Sequence, residues 1–574
     1  MERLEVKRIK GKEYYYYSEW GRKDGKCRRL WQKYIGTGQA IVEMAKAKDG
    51  EHPKALCAEL FQFGLPVALW NESLRVSVIQ VVDKHCKKRD RKLSVGHYIA
   101  LAAINRAASA VSKTGMWEWF SQTSLIRLIP TINKNDLSSQ RFWDKMDVIS
   151  SDDCKAIWNE LLHNVIRDEQ IDLSSISYDG TNYYTFIDTF NVHCSMAKRG
   201  KNKQGRANLR QINYSLFCTA DHYIPLLYDV FEGNQNDYTH FPTALSNLQN
   251  FLQKAGNGQD VKEKTTIVFD KGNCSKNNFH DIDASEFYYV TSAKLGEHQE
   301  LASISNKDSR FEQCSKGLDR TKSFRIRKNI HGKERTVIVT YNANLFECQW
   351  NTLQADMEKA IVRLSEIRRR LEDRENGLTK RGKGPSISSI KAQCKEILSR
   401  EYLKQIIVCS ITTSGNGMLK LEYSINQEAL KTIGDTYLGK NIILTNRAPW
   451  SNDDIIRAYR SQYTIEEVFK QSKDRKFGTW WPQFHWTDTK IHVHALYCTI
   501  ALLLRALIMR RVEKSGMKIS MKRLLTELGE IREVVNIYQG KKKKYSETVF
   551  SKLSDPQKAL SDILELFPKK RAAC

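Results

Sequence analysis

The chain has 574 residues and a mass of 66.4 kDa, which excludes a peptide hormone or mini-scaffold and predicts about three or four domains. Its 92 Lys and Arg residues outnumber 66 Asp and Glu residues, and the net charge of +26 favours a polyanionic partner, above all nucleic acid. Thirteen cysteines without a C-x-x-C pair and an N-terminus without an apolar segment indicate a folded cytoplasmic protein with no membrane partner, not a secreted or disulfide-bonded one.

Two regions are predicted before residue 173. Aromatic and polar residues alternate over residues 13–36 around an Asp24-Gly25 turn, which predicts a basic β-hairpin at residues 1–37. Ala- and Leu-rich segments such as His97 to Ser112 predict a mainly helical region at residues 38–172. We expect this basic N-terminal part of the chain to bind DNA.

Short β-branched and aromatic runs replace the helical pattern near residue 174. Runs between residues 177 and 231 predict three strands in antiparallel order, and a helix follows at residues 241–252. The apolar run from Thr265 to Phe269 predicts a buried strand that ends in Asp270, and another strand is predicted at Phe287 to Thr291. This order predicts an α/β core that begins at residue 173 and extends to about residue 300.

Residues 300–345 are polar and predict further strands. A heptad pattern then predicts a helical hairpin or short coiled coil, and a helix followed by strands is predicted from Ser386 to about Asn446. Lysine-rich runs at 541–544 and 569–571 make residues 516–574 a basic C-terminal region. The heptad positions are Leu353, Met357, Ala360, Leu364, Ile367 and Leu371.

Three acidic residues are the candidates for chemistry. Asp179 and Asp270 each follow a predicted strand, where an aspartate is also typical of a simple turn. Glu466 lies on a predicted helix that begins at Ser451 and continues to about Lys473, and Tyr459, Glu466 and Lys473 share one face because they are seven residues apart. A solvated amphipathic helix with Glu–Lys pairs would show a similar pattern. Taken together, two strand-end aspartates and a helical glutamate in a basic protein favour phosphodiester chemistry with two Mg²⁺ ions.

The chain resembles the DDE transposases of bacterial insertion sequences, in the branch whose helix carries a Tyr-Arg-Glu-Lys signature. Tyr459, Glu466 and Lys473 match that signature, whereas Gln462 stands where the family has arginine. Further matching blocks are Tyr178-Asp179-Gly180-Thr181-Asn182, Phe269-Asp270-Lys271-Gly272-Asn273, Arg199-Gly200-Lys201, Phe231-Glu232-Gly233-Asn234 with Asp237, and Trp486 to Ile491.

The resemblance implies a ribonuclease-H-like catalytic core interrupted by an insertion domain. The core would comprise residues 173–300 and 441–515, and the insertion domain residues 301–440, since 196 residues separate the second acid from the third. It also implies that Asp179, Asp270 and Glu466 are catalytic and bind two Mg²⁺ ions, with Mn²⁺ as an alternative. Tyr459 and Lys473 would contact DNA, and Arg460 is the nearby residue able to replace the missing arginine.

The implied activity is cleavage at transposon ends followed by strand transfer of the 3′-OH into target DNA. The implied partners are both of these DNAs and a second copy of the chain, as a dimer on DNA in the nucleoid-containing bacterial cytoplasm. Two alternatives remain open: a ribonuclease-H-like DNA nuclease without strand transfer, and a non-catalytic DNA-binding descendant.

Overall fold

The N-terminal residues form a three-stranded antiparallel sheet. Its strands are β1 (Glu2–Ile9), β2 (Lys12–Lys23) and β3 (Lys26–Thr37), in the order β1-β2-β3. The hairpin predicted at residues 1–37 is therefore extended by a third strand, β1. The structure, a computed structural model, describes residues 2–9, 11–23, 26–42, 55–86, 92–255, 265–285, 287–379, 384–415, 417–539 and 544–567. The predicted Asp24-Gly25 turn and the basic runs 541–543 and 569–571 lie outside these residues.

A largely helical region follows, preceded by one strand, β4 (Cys57–Gln62). Ser94, Ser138 and Ser150 cap the helices that they precede, each by accepting a backbone N–H. The helices are α1 (Gly64–Arg75), α2 (Val78–His85), α3 (Val95–Ala108), α4 (Met116–Ser121), α5 (Leu125–Leu128), α6 (Ser139–Met146) and α7 (Ser151–Glu169).

A nine-stranded mixed sheet lies at the centre of the fold. Its strands, in spatial order, are β10 (Glu312–Gln313), β11 (Thr321–Ile330), β12 (Lys333–Asn342), β15 (Lys440–Thr445), β9 (Tyr288–Ala293), β8 (Thr266–Phe269), β5 (Ser175–Tyr184), β6 (Gln211–Thr219) and β7 (Pro225–Glu232). Strands β5, β8 and β9 are parallel, and the remaining neighbours pair antiparallel. Its first strands and helices are β5 (Ser175–Tyr184), β6 (Gln211–Thr219), β7 (Pro225–Glu232), α8 (Asp237–Ala255), β8 (Thr266–Phe269), α9 (Lys276–Ala284), β9 (Tyr288–Ala293) and α10 (Gln299–Ala302).

The next strands belong to the same sheet. They are β10 (Glu312–Gln313), β11 (Thr321–Ile330) and β12 (Lys333–Asn342), and β12 pairs with β15 (Lys440–Thr445), which in turn pairs with β9. Residues 312–342 thus extend the central sheet, although the sequence grouped them with residues up to 440.

Residues 343–438 have a hydrophobic cluster of their own. The long helix α11 (Ala343–Glu375) buries all six heptad positions, as the sequence predicted. Its neighbours in this cluster are α12 (Ile387–Ile397), α13 (Leu403–Ile406), β13 (Ile407–Thr413), β14 (Leu419–Ile425) and α14 (Gln427–Thr436).

The helix predicted from Ser451 to Lys473 is two helices, α15 (Asn452–Arg460) and α16 (Tyr463–Lys473). Residues 461 and 462 form the turn between them, where the Gln462 N–H donates to the Tyr459 carbonyl three residues back, at 3.2 Å. The prediction of one continuous helix is therefore wrong. Tyr459 and Glu466 lie on different helices.

The chain ends with α17 (Asp488–Lys514), α18 (Met521–Glu530), β16 (Arg532–Tyr538), β17 (Tyr545–Phe550) and α19 (Asp555–Ile563). Helix α17 is long and apolar enough to cross a membrane, but 94% of its most apolar 18-residue window, which has a mean hydropathy of 1.8, is buried inside the protein. It packs against α1, α3, α7 and β7, and β16 pairs with β4. The N-terminal helices, the sheet and the C-terminal region therefore share one hydrophobic core.

Candidate active site

Two neighbouring parallel strands bring the first two candidate acids together. In the register of β5 and β8, Tyr178 lies opposite Phe269, so Asp179 and Asp270 occupy equivalent positions one residue further along. Both side chains reach the same cleft, because equivalent positions on neighbouring parallel strands face the same side of the sheet, and both are half-buried. The sequence placed each aspartate at a strand end, which is correct for Asp270 but wrong for Asp179, because β5 continues past Asp179 to Tyr184 in its pairing with β6. The pairing of β5 with β8 makes the two aspartates neighbours.

The Asp179 carboxylate lies in a strongly charged environment. Its Oδ1 accepts the Gly180 N–H at 2.7 Å. Burial raises the pKa of Asp179 to about 6, and the Asp237 and Asp270 carboxylates act in the same direction, while the Lys203 ammonium opposes them. The fold therefore concentrates negative charge here, and a cation would relieve it.

Glu466 is exposed in the first turn of α16. Burial is the main cause of the raised pKa of Tyr459. The Asp270 and Glu466 carboxylates both raise this pKa further, so both act on the same tyrosine. Its neighbour Glu467 lies 3.8 Å from Lys470 and close enough to the half-buried Tyr223 to raise the pKa of that hydroxyl further. Of these two glutamates, Glu466 is the one that acts on Tyr459 together with Asp270.

Lys473 lies beside the strand that carries Asp179. Its Nζ donates to Thr181 Oγ1 and lies 5.3 Å from the centre of the Tyr183 ring. Burial lowers the pKa of Lys473 to about 8, and the nearby Lys203 adds to this effect. Arg460 is directed elsewhere: its Nη2 donates to Thr321 Oγ1 on β11, at 2.7 Å. Its predicted contact with DNA stays a prediction.

The carboxylates suit divalent cations in pairs. Within the described residues, no three His, Cys, Asp or Glu side chains are grouped closely enough to hold one metal ion. Asp179 and Asp270 are neighbours, and their carboxylates are the oxygen ligands that hard cations take. These two residues would hold a divalent cation, and Glu466 is the third carboxylate near Tyr459.

Two further charged residues border the aspartates in a cleft of about 320 Å³. Lys203 Nζ donates to the Gly180 carbonyl at 2.7 Å and to Asp237 Oδ2 at 2.8 Å. The sequence had marked Asp237 only as part of a matching block, and Lys203 not at all. Gly180 is the sequence feature that relates to Asp237, because any other residue at position 180 would place its Cβ 2.9 Å from the Asp237 carboxyl group.

Comparison with known proteins adds a family to this geometry. A family model described as "Transposase DDE domain" matches residues 175–504, a range that contains all three acids. Among solved structures, the chain is similar at 9% identity to a cryo-EM structure of the piggyBac transposase synaptic complex with hairpin DNA. That likeness covers 82% of each chain and has a TM-score of 0.35. The comparison with curated proteins finds no match.

Proposed function

The chain belongs to the family of transposases with a DDE domain and is an enzyme of that type, and we propose that it cleaves DNA at transposon ends and transfers the 3′-OH ends to target DNA. The observation that carries the proposal is the register of β5 and β8, which sets Asp179 beside Asp270. In the cleavage step, a water oxygen bonds to phosphorus and the P–O3′ bond breaks. In the transfer step, the freed 3′-OH attacks a phosphodiester of the target and displaces another 3′-oxygen.

We propose a ribonuclease-H-like core of the branch with the Tyr-Arg-Glu-Lys signature. The order β7-β6-β5-β8-β9, with three antiparallel strands followed by two parallel ones, supports this core. An inserted unit at residues 343–438, narrower than the 301–440 expected from the sequence, is supported by its separate hydrophobic cluster. Residues 173–342 and 439–515 would then contribute the core.

Asp179, Asp270 and Glu466 are the residues proposed to hold two Mg²⁺ ions, with Mn²⁺ as an alternative. Bound there, the ions would stabilise the charge on the attacking and leaving oxygens of a phosphoryl transfer. The chain itself supplies the charge for holding them: with a pKa of about 6, the Asp179 carboxyl group is mostly ionised at neutral pH.

The proposed partners are transposon-end DNA, target DNA and a second copy of the chain. The net charge of +26 supports binding to polyanions. Tyr459 and Lys473 are both half-buried near the acids: Tyr459 interacts electrostatically with Asp270 and Glu466, and Lys473 with Asp179 and Asp237, which supports contacts to a DNA strand held there. Arg460 would contribute from the β11 side.

The experiment is an assay on labelled DNA that carries the inverted repeats flanking the coding sequence, with a supercoiled plasmid as target. We expect Mg²⁺-dependent strand cleavage at the repeat ends and covalent joining of those ends to the plasmid, and both are lost in Asp270→Asn. Cleavage without joining identifies the nuclease alternative. DNA binding without either reaction identifies the non-catalytic alternative.

A further inference from the structure

The loop between β5 and β6 is fixed against the catalytic strand by side-chain amides. Asn182 on β5 accepts the Lys203 N–H at 3.1 Å and donates to the Lys201 carbonyl at 3.0 Å. Gln211 at the start of β6 donates to the Gly233 carbonyl at 2.7 Å and to the Lys201 carbonyl at 3.3 Å. These bonds set the position of Lys203 from two strands of the sheet. The backbone at Lys203 is therefore placed by the strands themselves.

The Lys203 ammonium is directed at the catalytic edge of the sheet. It donates to the carbonyl of Gly180, the residue after Asp179, and to Asp237. An ammonium has three N–H donors. Among the residues that the structure describes, Lys203 donates to these two acceptors, which leaves one N–H for a ligand. The Lys203 side chain is 47% exposed, and the ammonium lies in the cleft that both aspartates line.

The ion pair between Lys203 and Asp237 contributes little to the stability of the fold. Exposed ion pairs contribute about 1 kcal/mol or less, and the Lys203–Asp237 pair is of that kind. The arrangement also requires glycine at position 180, because any Cβ there would touch Asp237. The contacts that hold the exposed Lys203 therefore place a positive charge beside the acids.

We propose that Lys203 contacts a phosphate of the DNA strand being cleaved, and that Asp237 is the positioning residue that holds its ammonium. This inference rests on the proposed function. Lys203 and Lys473 both interact electrostatically with Asp179, and Lys203 lowers the pKa of Lys473. The strand would therefore lie between two lysines, with its phosphate over the carboxylates. Neither Lys203 nor Asp237 belongs to the acid triad.

Lys198 is a matched control on the same loop. Its Nζ lies 2.8 Å from Glu232 Oε2, the same distance as between Lys203 and Asp237, and its side chain is 39% exposed. It does not line the cleft of the aspartates. Lys198→Gln and Lys203→Gln therefore remove the same charge from equivalent ion pairs, and only one of them faces the candidate active site.

The test uses the full chain and single-turnover cleavage of transposon-end DNA in Mg²⁺. A charged hydrogen bond to phosphate contributes enough that Lys203→Gln should slow cleavage about tenfold or more, while Lys203→Arg should retain most of the rate. Lys198→Gln should cleave at the wild-type rate. Equal rates for Lys203→Gln and Lys198→Gln would overturn the proposal.

A second measurement identifies the phosphate. Methylphosphonates, which lack the phosphate charge, are placed one at a time around the cleavage site. At one position, the slowing seen with the wild-type protein should disappear in Lys203→Gln and weaken in Asp237→Asn, because the contact is already lost. If every methylphosphonate slows Lys203→Gln as much as the wild type, Lys203 touches no phosphate. Absence of all cleavage by the wild type would instead refute the proposed function.

Discussion

At the scale of single residues, Asp179 is held in a form that the fold disfavours. Its pKa is about 6 in the folded chain and 3.8 ordinarily, so the folded state binds the proton more tightly, and the free energy of unfolding decreases as pH rises between these values. Above pH 6 the ionised Asp179 carboxylate destabilises the folded state by the full amount. Asp179→Asn should therefore stabilise the metal-free protein by about 3 kcal/mol at neutral pH and leave it nearly unchanged below about pH 4.

Urea unfolding in EDTA at the two pH values measures this difference, with Asp188→Asn, an exposed aspartate beyond the same strand, as a control. The amide introduced by Asp179→Asn would keep an oxygen to accept the Gly180 N–H, so the substitution removes charge more than structure. A variant that is less stable than the wild type at neutral pH would show that the carboxylate stabilises the fold, contrary to this argument.

The second residue-scale prediction separates two adjacent glutamates. Glu466 shares Tyr459 with Asp270, whereas Glu467 lies near Lys470 and Tyr223. Glu466→Gln should abolish Mg²⁺-dependent cleavage while leaving DNA binding intact, because a ligand charge is lost. Glu467→Gln should change the free energy of unfolding by about 0.5 kcal/mol or less and leave cleavage intact. Nicking of a labelled transposon end by each variant decides between them, and an inactive Glu467→Gln beside an active Glu466→Gln would reverse the assignment.

The sequence predicted the acids better than their neighbours. Asp179 and Asp270 were recognisable because each follows a short strand-like run of residues, a local pattern, although only Asp270 ends its strand and β5 continues past Asp179 to Tyr184. Lys203 was not, because the loop that carries it has no periodicity and is placed by Asn182 and Gln211, which bond to it across strands. Arg460 shows the same limit: its neighbours in sequence suggest the active site, but its guanidinium bonds to Thr321.

At the scale of elements, helix α11 follows its sequence pattern closely. Leu364 on the heptad face is fully buried, while Val362, two residues earlier, is 57% exposed. Leu364→Ala should destabilise residues 343–438 by about 2–5 kcal/mol, because it removes buried methyl groups and leaves a cavity. Val362→Ala should cost about 0.5 kcal/mol or less.

Hydrogen exchange resolved by segment measures this prediction. Since α11 packs in its own cluster, protection should fall across residues 343–438 in Leu364→Ala and persist in the central strands β5 and β8. Loss of protection in both parts would mean that the two clusters unfold as one unit.

Other elements depended on contacts that sequence spacing does not encode. The heptad spacing was sufficient for α11 because one face of that helix meets one cluster. The break between α15 and α16 left the seven-residue spacing of Tyr459 and Glu466 intact, so the pattern gave no sign of it. Strands β11 and β12 looked like part of an insertion because β12 joins them to the sheet through β15, which is about 100 residues further along the chain.

At the scale of the whole molecule, the N-terminal and C-terminal parts of the chain pack together. The prediction of separate domains did not include this contact. Strand β4 near the N-terminus pairs with β16 near the C-terminus, and α17 is buried against α1, α3 and α7. The apolar residues of α17 are spread around the helix, so its sequence does not say which elements cover it. The N-terminal sheet is the exception, because none of its described residues belongs to a hydrophobic cluster.

That separate sheet offers two different faces to a polyanion. Pairing of β1, β2 and β3 sets Arg3, Lys7 and Arg29 on one face together with tyrosine and tryptophan rings, and Lys7 lies 4.6 Å from the centre of the Tyr16 ring. The opposite face exposes Leu4 and also carries tyrosine and tryptophan rings and basic residues, but it holds three glutamates, Glu2, Glu13 and Glu19, where the first face has Glu5. A two- or three-stranded sheet lays one face into a DNA groove, and the face with fewer carboxylates is the one suited to a polyanion.

Salt dependence of DNA binding distinguishes the two faces. We expect the logarithm of affinity for transposon-end DNA to fall linearly with the logarithm of salt concentration, with each contacted phosphate adding about 0.9 to the slope. Replacing Arg3, Lys7 and Arg29 by glutamine should therefore reduce the slope by up to about 2.7. The control replaces three basic residues of the opposite face, Arg8, Arg28 and Lys33, and should reduce it by less than about one. Both variants carry the same net charge, so equal reductions would show that the sheet attracts DNA only through its total charge, and a salt-independent affinity in the wild type would exclude phosphate contacts altogether.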